Sequence, residues 1–121
     1  MTSRQPGFVE EVDRRRLVPL MNHTKWEELR LAMMGLDHPP HWCARTLGPG
    51  HVSPWDGEWG HHFALDGDYR SQEWVELRME HEEQAREVLN ALRQVRVPGS
   101  RTNQGFSVLG HAPAGEPVEY P

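Results

Sequence analysis

The chain has 121 residues, of which 36% are hydrophobic and 26% charged, and it carries a formal net charge of −5 at pH 7. That length fits one domain burying roughly two-thirds of its unfolded surface, enough for a core without staples. No uninterrupted apolar run exceeds the four residues Leu31 to Met34, which excludes a membrane-spanning helix and predicts no secretory signal.

Residues 1–20 lack the periodicity of the rest of the chain. Phe8 and Val12 sit four apart, the next equivalent position is Arg16, and Pro19 stops any continuation. The segment is expected to be a loosely docked extension, followed by a single α+β domain over 21–121, with Met21 as a second candidate start. A helix is predicted from Lys25 to Gly35. Thr24 and Glu27 have the spacing of a capping box, and Trp26, Leu29, Ala32, Met33 and Leu36 form one apolar stripe. Pro39-Pro40 forbids resumption. A strand from His41 to Leu47 closes at Gly48-Pro49-Gly50. A second, Glu58 to Leu65, follows the Trp55-Asp56-Gly57 turn, and a third, Glu73 to Met79, follows Asp66-Gly67-Asp68. The next helix, Glu82 to Val95, keeps Ala85, Val88, Leu89, Leu92 and Val95 at helical spacing, with acids in its first turn. Pro98-Gly99 breaks the chain before a last strand, Phe106 to His111. The order αβββαβ predicts an antiparallel sheet of about four strands with two helices on one face.

Alternation along the third predicted strand puts Val75, Leu77 and Met79 on one side and Trp74, Glu76 and Arg78 on the other. In the second, Trp59, His61, Phe63 and Leu65 lie opposite Gly60, His62 and Ala64. A two-residue Asp66-Gly67 turn would set Trp59 across from Trp74, whereas a connection from Asp66 to Arg70 would set it across from Leu77. The longer connection is preferred, because it gathers the apolar residues. The open face then carries His62, Trp74, Glu76 and Arg78, a surface of the kind protein interfaces use. The plainer reading is that the extension or the tail covers Trp74. Trp55 and Trp59, flanking Asp56-Gly57-Glu58, are expected to be a packed turn rather than a ligand cage.

Charge is unevenly spread. Asp56 to Glu87 hold ten acids against three arginines, while the remainder is slightly basic. Such a field disfavours nucleic acid and favours a basic partner, with Asp56 and Glu58 joining the candidate partner-binding set; its plainer role is solubility. Arg14-Arg15-Arg16 is interleaved with acids and is expected to be solvated.

Eight histidines invite a metal reading. His41 and Cys43 are two apart on a predicted strand, and His38 could join them, yet the spacing matches no compact zinc pattern. Cys43 is the only cysteine, so no disulfide can form within the chain and a cytoplasmic location is the expectation. No elbow motif surrounds it, and Gly48-Pro49-Gly50 leads away from a helix rather than into one. Glu27-Glu28 and Glu82-Glu83 fall in helix first turns, where capping accounts for them. The residues call for no cofactor, and an enzyme is the less favoured reading.

Thr24-Lys25-Trp26, Trp55-Asp56-Gly57-Glu58-Trp59, His62-Phe63, Glu73-Trp74-Val75-Glu76, Val97-Pro98-Gly99 and Tyr120 carry a resemblance. From about Asn22 to Tyr120 the chain resembles a group of small bacterial proteins defined as a domain of unknown function. The resemblance implies a bacterial source and a compact α+β unit, and it transfers no active residues. The favoured expectation is an acidic interaction module, of the immunity or antitoxin kind, that neutralises a basic protein partner without touching nucleic acid or membrane. A homodimer through the open face competes with it. The alternative is a metal- or small-ligand-binding protein using His38, His41 and Cys43.

Overall fold

The computed structural model describes residues 7–63 and 69–121. In chain order its elements are α1 (Phe8–Arg15), β1 (Leu17–Pro19), α2 (His23–Met34), β2 (His41–Thr46), a 3-10 turn (Tyr69–Ser71), β3 (Gln72–Arg78), α3 (Glu82–Val95), β4 (Gly99–Arg101), β5 (Gly105–Leu109) and β6 (His111–Pro113). The architecture is α+β: a four-stranded antiparallel sheet in the order β2-β3-β5-β4, and a small two-stranded sheet pairing β1 with β6. None of the helices is long and apolar enough to cross a membrane among the described residues.

Alternation sorts the main sheet into two faces. Trp42 and Ala44, Val75 and Leu77, and Phe106 and Val108 point to one side, where they form a single core with Trp26, Leu29 and Met33 of α2 and Val88, Leu89 and Leu92 of α3. Both helices therefore lie on that face, as expected. α3 runs over the span read from its periodicity. α2 starts two residues earlier than predicted, because Asn22 is its cap: the Asn22 Oδ1 accepts from the Lys25 amide at 2.8 Å. Thr24 and Glu27 form no capping box. Glu27 instead accepts from Arg30 and from the Tyr69 hydroxyl.

The strand expected over Glu58 to Leu65 is absent where the structure describes it: residues 59–63 form a turn, and Ala64 to Asp68, with the Asp66-Gly67-Asp68 turn, lie outside the described residues. Neither register considered for Trp59 occurs, since β3 pairs with β2 and β5. The reason is local. The Glu58 carboxylate accepts from the His61 and His62 amides at 2.7 and 2.8 Å, winding the chain. Trp59 and Phe63, four apart, then fall on the same side and pack together, ring centroids 4.6 Å apart. The indole N–H of Trp59 donates to the Pro40 carbonyl at 2.8 Å, which fixes the turn against the start of β2.

The segment before Met21, expected to be loosely docked, carries a helix and a strand. α1 is only eight residues and would not hold by itself. Its Glu11 is buried, accepting from the Gly48 amide at 2.8 Å and from Arg45 at 3.3 Å. Arg15 donates through both terminal nitrogens to the two oxygens of Glu73, one at 3.0 Å, and Arg45 donates to the same carboxylate. A bulge sets this up: Arg45 faces Trp74 and Thr46 faces Gln72, so Glu73 has no partner on β2. Burial alone would raise the pKa of either carboxyl. For Glu11 the Gly48 amide, Arg45 and Arg15 outweigh it, and for Glu73 the two arginines do, so both sit below the usual carboxylate range.

Three short strands escaped the periodicity: β1, β4 and β6 have three residues each, too few to alternate legibly. Gly99 opens β4 at φ +147°, and a Cβ there would lie 1.9 Å from the Ser107 carbonyl oxygen. Gly99→Ala is expected to cost about 2–3 kcal/mol in denaturant unfolding, because strained backbone and a clash with β5 coincide. Glu73→Gln should cost about 3 kcal/mol, leaving two guanidinium groups facing one carboxylate, and should speed tryptic cleavage at Arg14 and Arg16. Since both carboxyls titrate below their unfolded values near about 4.3, their contribution is complete above about pH 5 and is lost as pH falls through the lowered values. The denaturation midpoint should stay level from neutral pH to that point and then drop, less steeply in Glu73→Gln.

Candidate functional site

The sheet face turned away from α2 and α3 is built by the other set of alternating residues. Across β2 and β3, His41 faces Arg78, Cys43 faces Glu76, and Arg45 faces Trp74; across β3 and β5, Glu76 faces Ser107 and Trp74 faces Leu109. Trp74, Glu76 and Arg78 are half-buried. After β2 the chain returns along its outer edge. Ser53 donates to Ala44 at 2.9 Å, and Trp42 and Asp56 exchange two backbone hydrogen bonds. This return hangs Trp55 beside the face, where the Arg78 guanidinium lies 4.7 Å from its ring centroid, a cation–π pairing. Glu76 has no ion-pair partner among the described residues. Trp74, Glu76, Arg78 and Trp55 thus form one stripe, and Trp55 is the member that sequence reasoning assigned to a packed turn. Its signal was faint: only a return strand too irregular to alternate brings it there.

The other residues expected to bind a partner lie elsewhere. His62 sits in the 59–63 turn, not beside Trp74, with its Nδ1 2.7 Å from Asp56 Oδ2. Asp56 also accepts from the Glu58 amide, and Glu58 accepts from the two amides of the turn. The Glu58 amide first, with His62 adding to it, holds the Asp56 carboxyl below its ordinary range against the effect of burial. Both carboxylates are used in holding the loop that follows Trp55, so they position the stripe rather than extend it.

The metal cluster is not assembled. Among the described residues no three His, Cys, Asp or Glu side chains gather closely enough to hold an ion. His41 and Cys43 do share a face, but His41 turns to Glu80, Nδ1 to Oε1 3.6 Å, and His38 packs edge-on against His81. Cys43 is buried; burial, then the neighbouring Glu76 charge, pushes its thiol up, with Arg78 opposing.

A family model described as a family of unknown function, DUF6678, matches residues 8–115. The chain belongs to that family. The DUF6678 match takes in α1 and β1, ahead of the Asn22 start of the resemblance, and it ends before Tyr120. No curated protein and no solved structure matches the chain.

Because its thiol is both buried and raised, Cys43 in the native DUF6678 protein should react with a disulfide reagent at pH 8 more than about tenfold slower than in denaturant. Equal rates in the two conditions would contradict the packing of Cys43 beside Glu76.

Proposed function

We propose that this protein is a small interaction module of the bacterial cytoplasm that docks a basic protein partner on the uncovered sheet face, as an immunity or antitoxin-like protein would. One observation carries the reading: Trp74 and Glu76 stand side by side, half-buried, on a face that neither α2 nor α3 covers, and Glu76 has no cation paired to it among the described residues. A partly desolvated carboxylate next to an indole suits a Lys- or Arg-bearing surface, the indole supplying apolar area and the carboxylate a counter-charge. Glu80, Glu82 and Glu83 continue the same sign past the end of β3, which favours rapid encounter with a cationic partner. Glu73 takes no part, since Arg15 and Arg45 neutralise it.

The test is affinity capture from the source organism, identification of the bound protein, and titration of that protein against wild type, Trp74→Ala and Glu76→Lys. A basic partner bound about 30-fold more weakly by each variant, with association slowing as salt rises, is the expected result. An acidic partner, or one retained equally by both variants, overturns the proposal. So does a wild-type dimer in sedimentation that Trp74→Ala dissolves, because the face then belongs to a second copy.

A further inference from the structure

A cavity of about 680 Å³ lies where α1 and β1 approach the start of α2, inside the roughly 300–1,000 Å³ range of small-molecule sites. Most of its lining is apolar or aromatic. Phe8 and Val12 come from α1, Met21 and Trp26 from the approach to α2 and its first turn, and Tyr69 from the 3-10 turn. The rings brace one another: Trp26 and Tyr69 stack with centroids 5.9 Å apart, and Phe8 meets the His111 ring edge-on at 6.0 Å.

Most polar groups on this lining are already engaged or lie at its exposed rim. The Tyr69 hydroxyl donates to Glu27, and the Asn22 Oδ1 caps α2. His23 is exposed, its ring 5.2 Å from Tyr69, and it lies in the field of the same Glu27 carboxylate. Arg70 is exposed and has a partner of its own. No charge on this lining stands free to select an ion of either sign. His111 differs. It is only 6% exposed, and its Nδ1 lies 3.0 Å from the Gln72 carbonyl oxygen, which can only accept, so Nδ1 carries the proton and donates. In the neutral ring Nε2 is then an acceptor, and none of the described residues donates to it. Among the described residues the fully enclosed side-chain atoms without a partner are Gln72 Nε2 and Glu87 Oε2. The His111 Nε2 is not one of them, so it reaches open space, and the space that His111 borders is this cavity.

From these observations we infer that the cavity binds a small uncharged phenol, its flat ring among Val12, Trp26 and Tyr69 and its hydroxyl donating to the His111 Nε2. The aromatic walls favour a flat body. An ionised ligand would leave water for a lining with no free counter-charge, whereas a phenol ionises only near about pH 10 and enters neutral. A ring without a donor would cover the imidazole nitrogen and leave it unpaired. The site therefore discriminates twice, against charge and against loss of the hydroxyl hydrogen. The inference is independent of the Trp74 face, which shares no residue with this cavity.

The experiment uses the whole chain at pH 7 and equilibrium dialysis of three compounds with one ring system: 2-naphthol, 2-methoxynaphthalene, which lacks the donor, and 2-naphthoate, which is an anion. One site is expected, with 2-naphthol bound at least about tenfold more tightly than either of the others. In protein labelled with nitrogen-15 histidine, 2-naphthol should shift the Nε2 resonance of His111 and 2-methoxynaphthalene should not. His111→Phe keeps a ring but removes the acceptor, and should bring the two neutral compounds to within about twofold of each other. Val12→Trp fills the space and should abolish the site, with circular dichroism and melting temperature reporting that the fold is retained, while Trp74→Ala should leave it unchanged. The wild-type Nε2 resonance decides the matter if either cavity variant does not fold. Absence of binding, several equivalent sites, equal affinity for the methoxy compound, tighter binding of the naphthoate, or an unmoved His111 resonance overturns the inference.

Discussion

Where α1 meets the open end of the main sheet, Glu11, Arg15, Arg45 and Glu73 form an alternating set of charges from three elements distant in sequence. Taking such groups out of water costs several kcal/mol per ion, and the cost is offset only when each is surrounded by opposite charge and hydrogen bonds. That condition is met: Glu11 receives a backbone amide and two guanidinium groups, and Glu73 receives two guanidinium groups, one of them two-pronged. An eight-residue helix with a mostly polar surface has little else to hold it. Its attachment supplies the Phe8 and Val12 wall of the cavity and pins the Gly48 turn that follows β2.

The aromatic side of the core is organised by the same need to satisfy buried polar atoms. Trp42 gives its indole N–H to Glu58 and Trp59 gives its own to Pro40. The Tyr69 hydroxyl donates to Glu27, whose pKa falls to about 2, first through Arg30 and then through Tyr69 itself. Burial, with Glu27 alongside, pushes the Tyr69 phenol up. Each large ring therefore carries its apolar body into the core and its polar tip to a fixed partner, which locates it more closely than packing alone would. These tips tie the 59–63 turn to the start of β2, and the Tyr69–Ser71 turn to the first half of α2.

Two surfaces result that share no residues. The uncovered face of β2, β3 and β5 offers an indole, a carboxylate and a cation already engaged with Trp55; the cavity behind α1 offers rings and imidazoles.

Periodicity and punctuation in the chain were sufficient for α2, α3, β2, β3 and β5, because each is long enough for its apolar residues to repeat at 3.6 or 2, and all but β3 are followed within three residues by Pro or Gly. They were sufficient too for the α+β class and for the side on which both helices pack. Trp59 and Phe63 read wrongly as strand because a spacing of four within a six-residue window fits either a turn or every second pair of a strand, and only the Glu58 carboxylate, closing on the amides just after it, decides between them. β1, β4 and β6 are fixed by their pairing partners alone, three residues being too few to show a preference. The burial of Glu11 and Glu73 was likewise invisible, since a charged side chain reads as solvent-facing until the fold brings Arg15 and Arg45 to it. What repeats along the chain is written in the chain, whereas what depends on residues 28 to 58 positions apart meeting one another exists only once the sheet has formed.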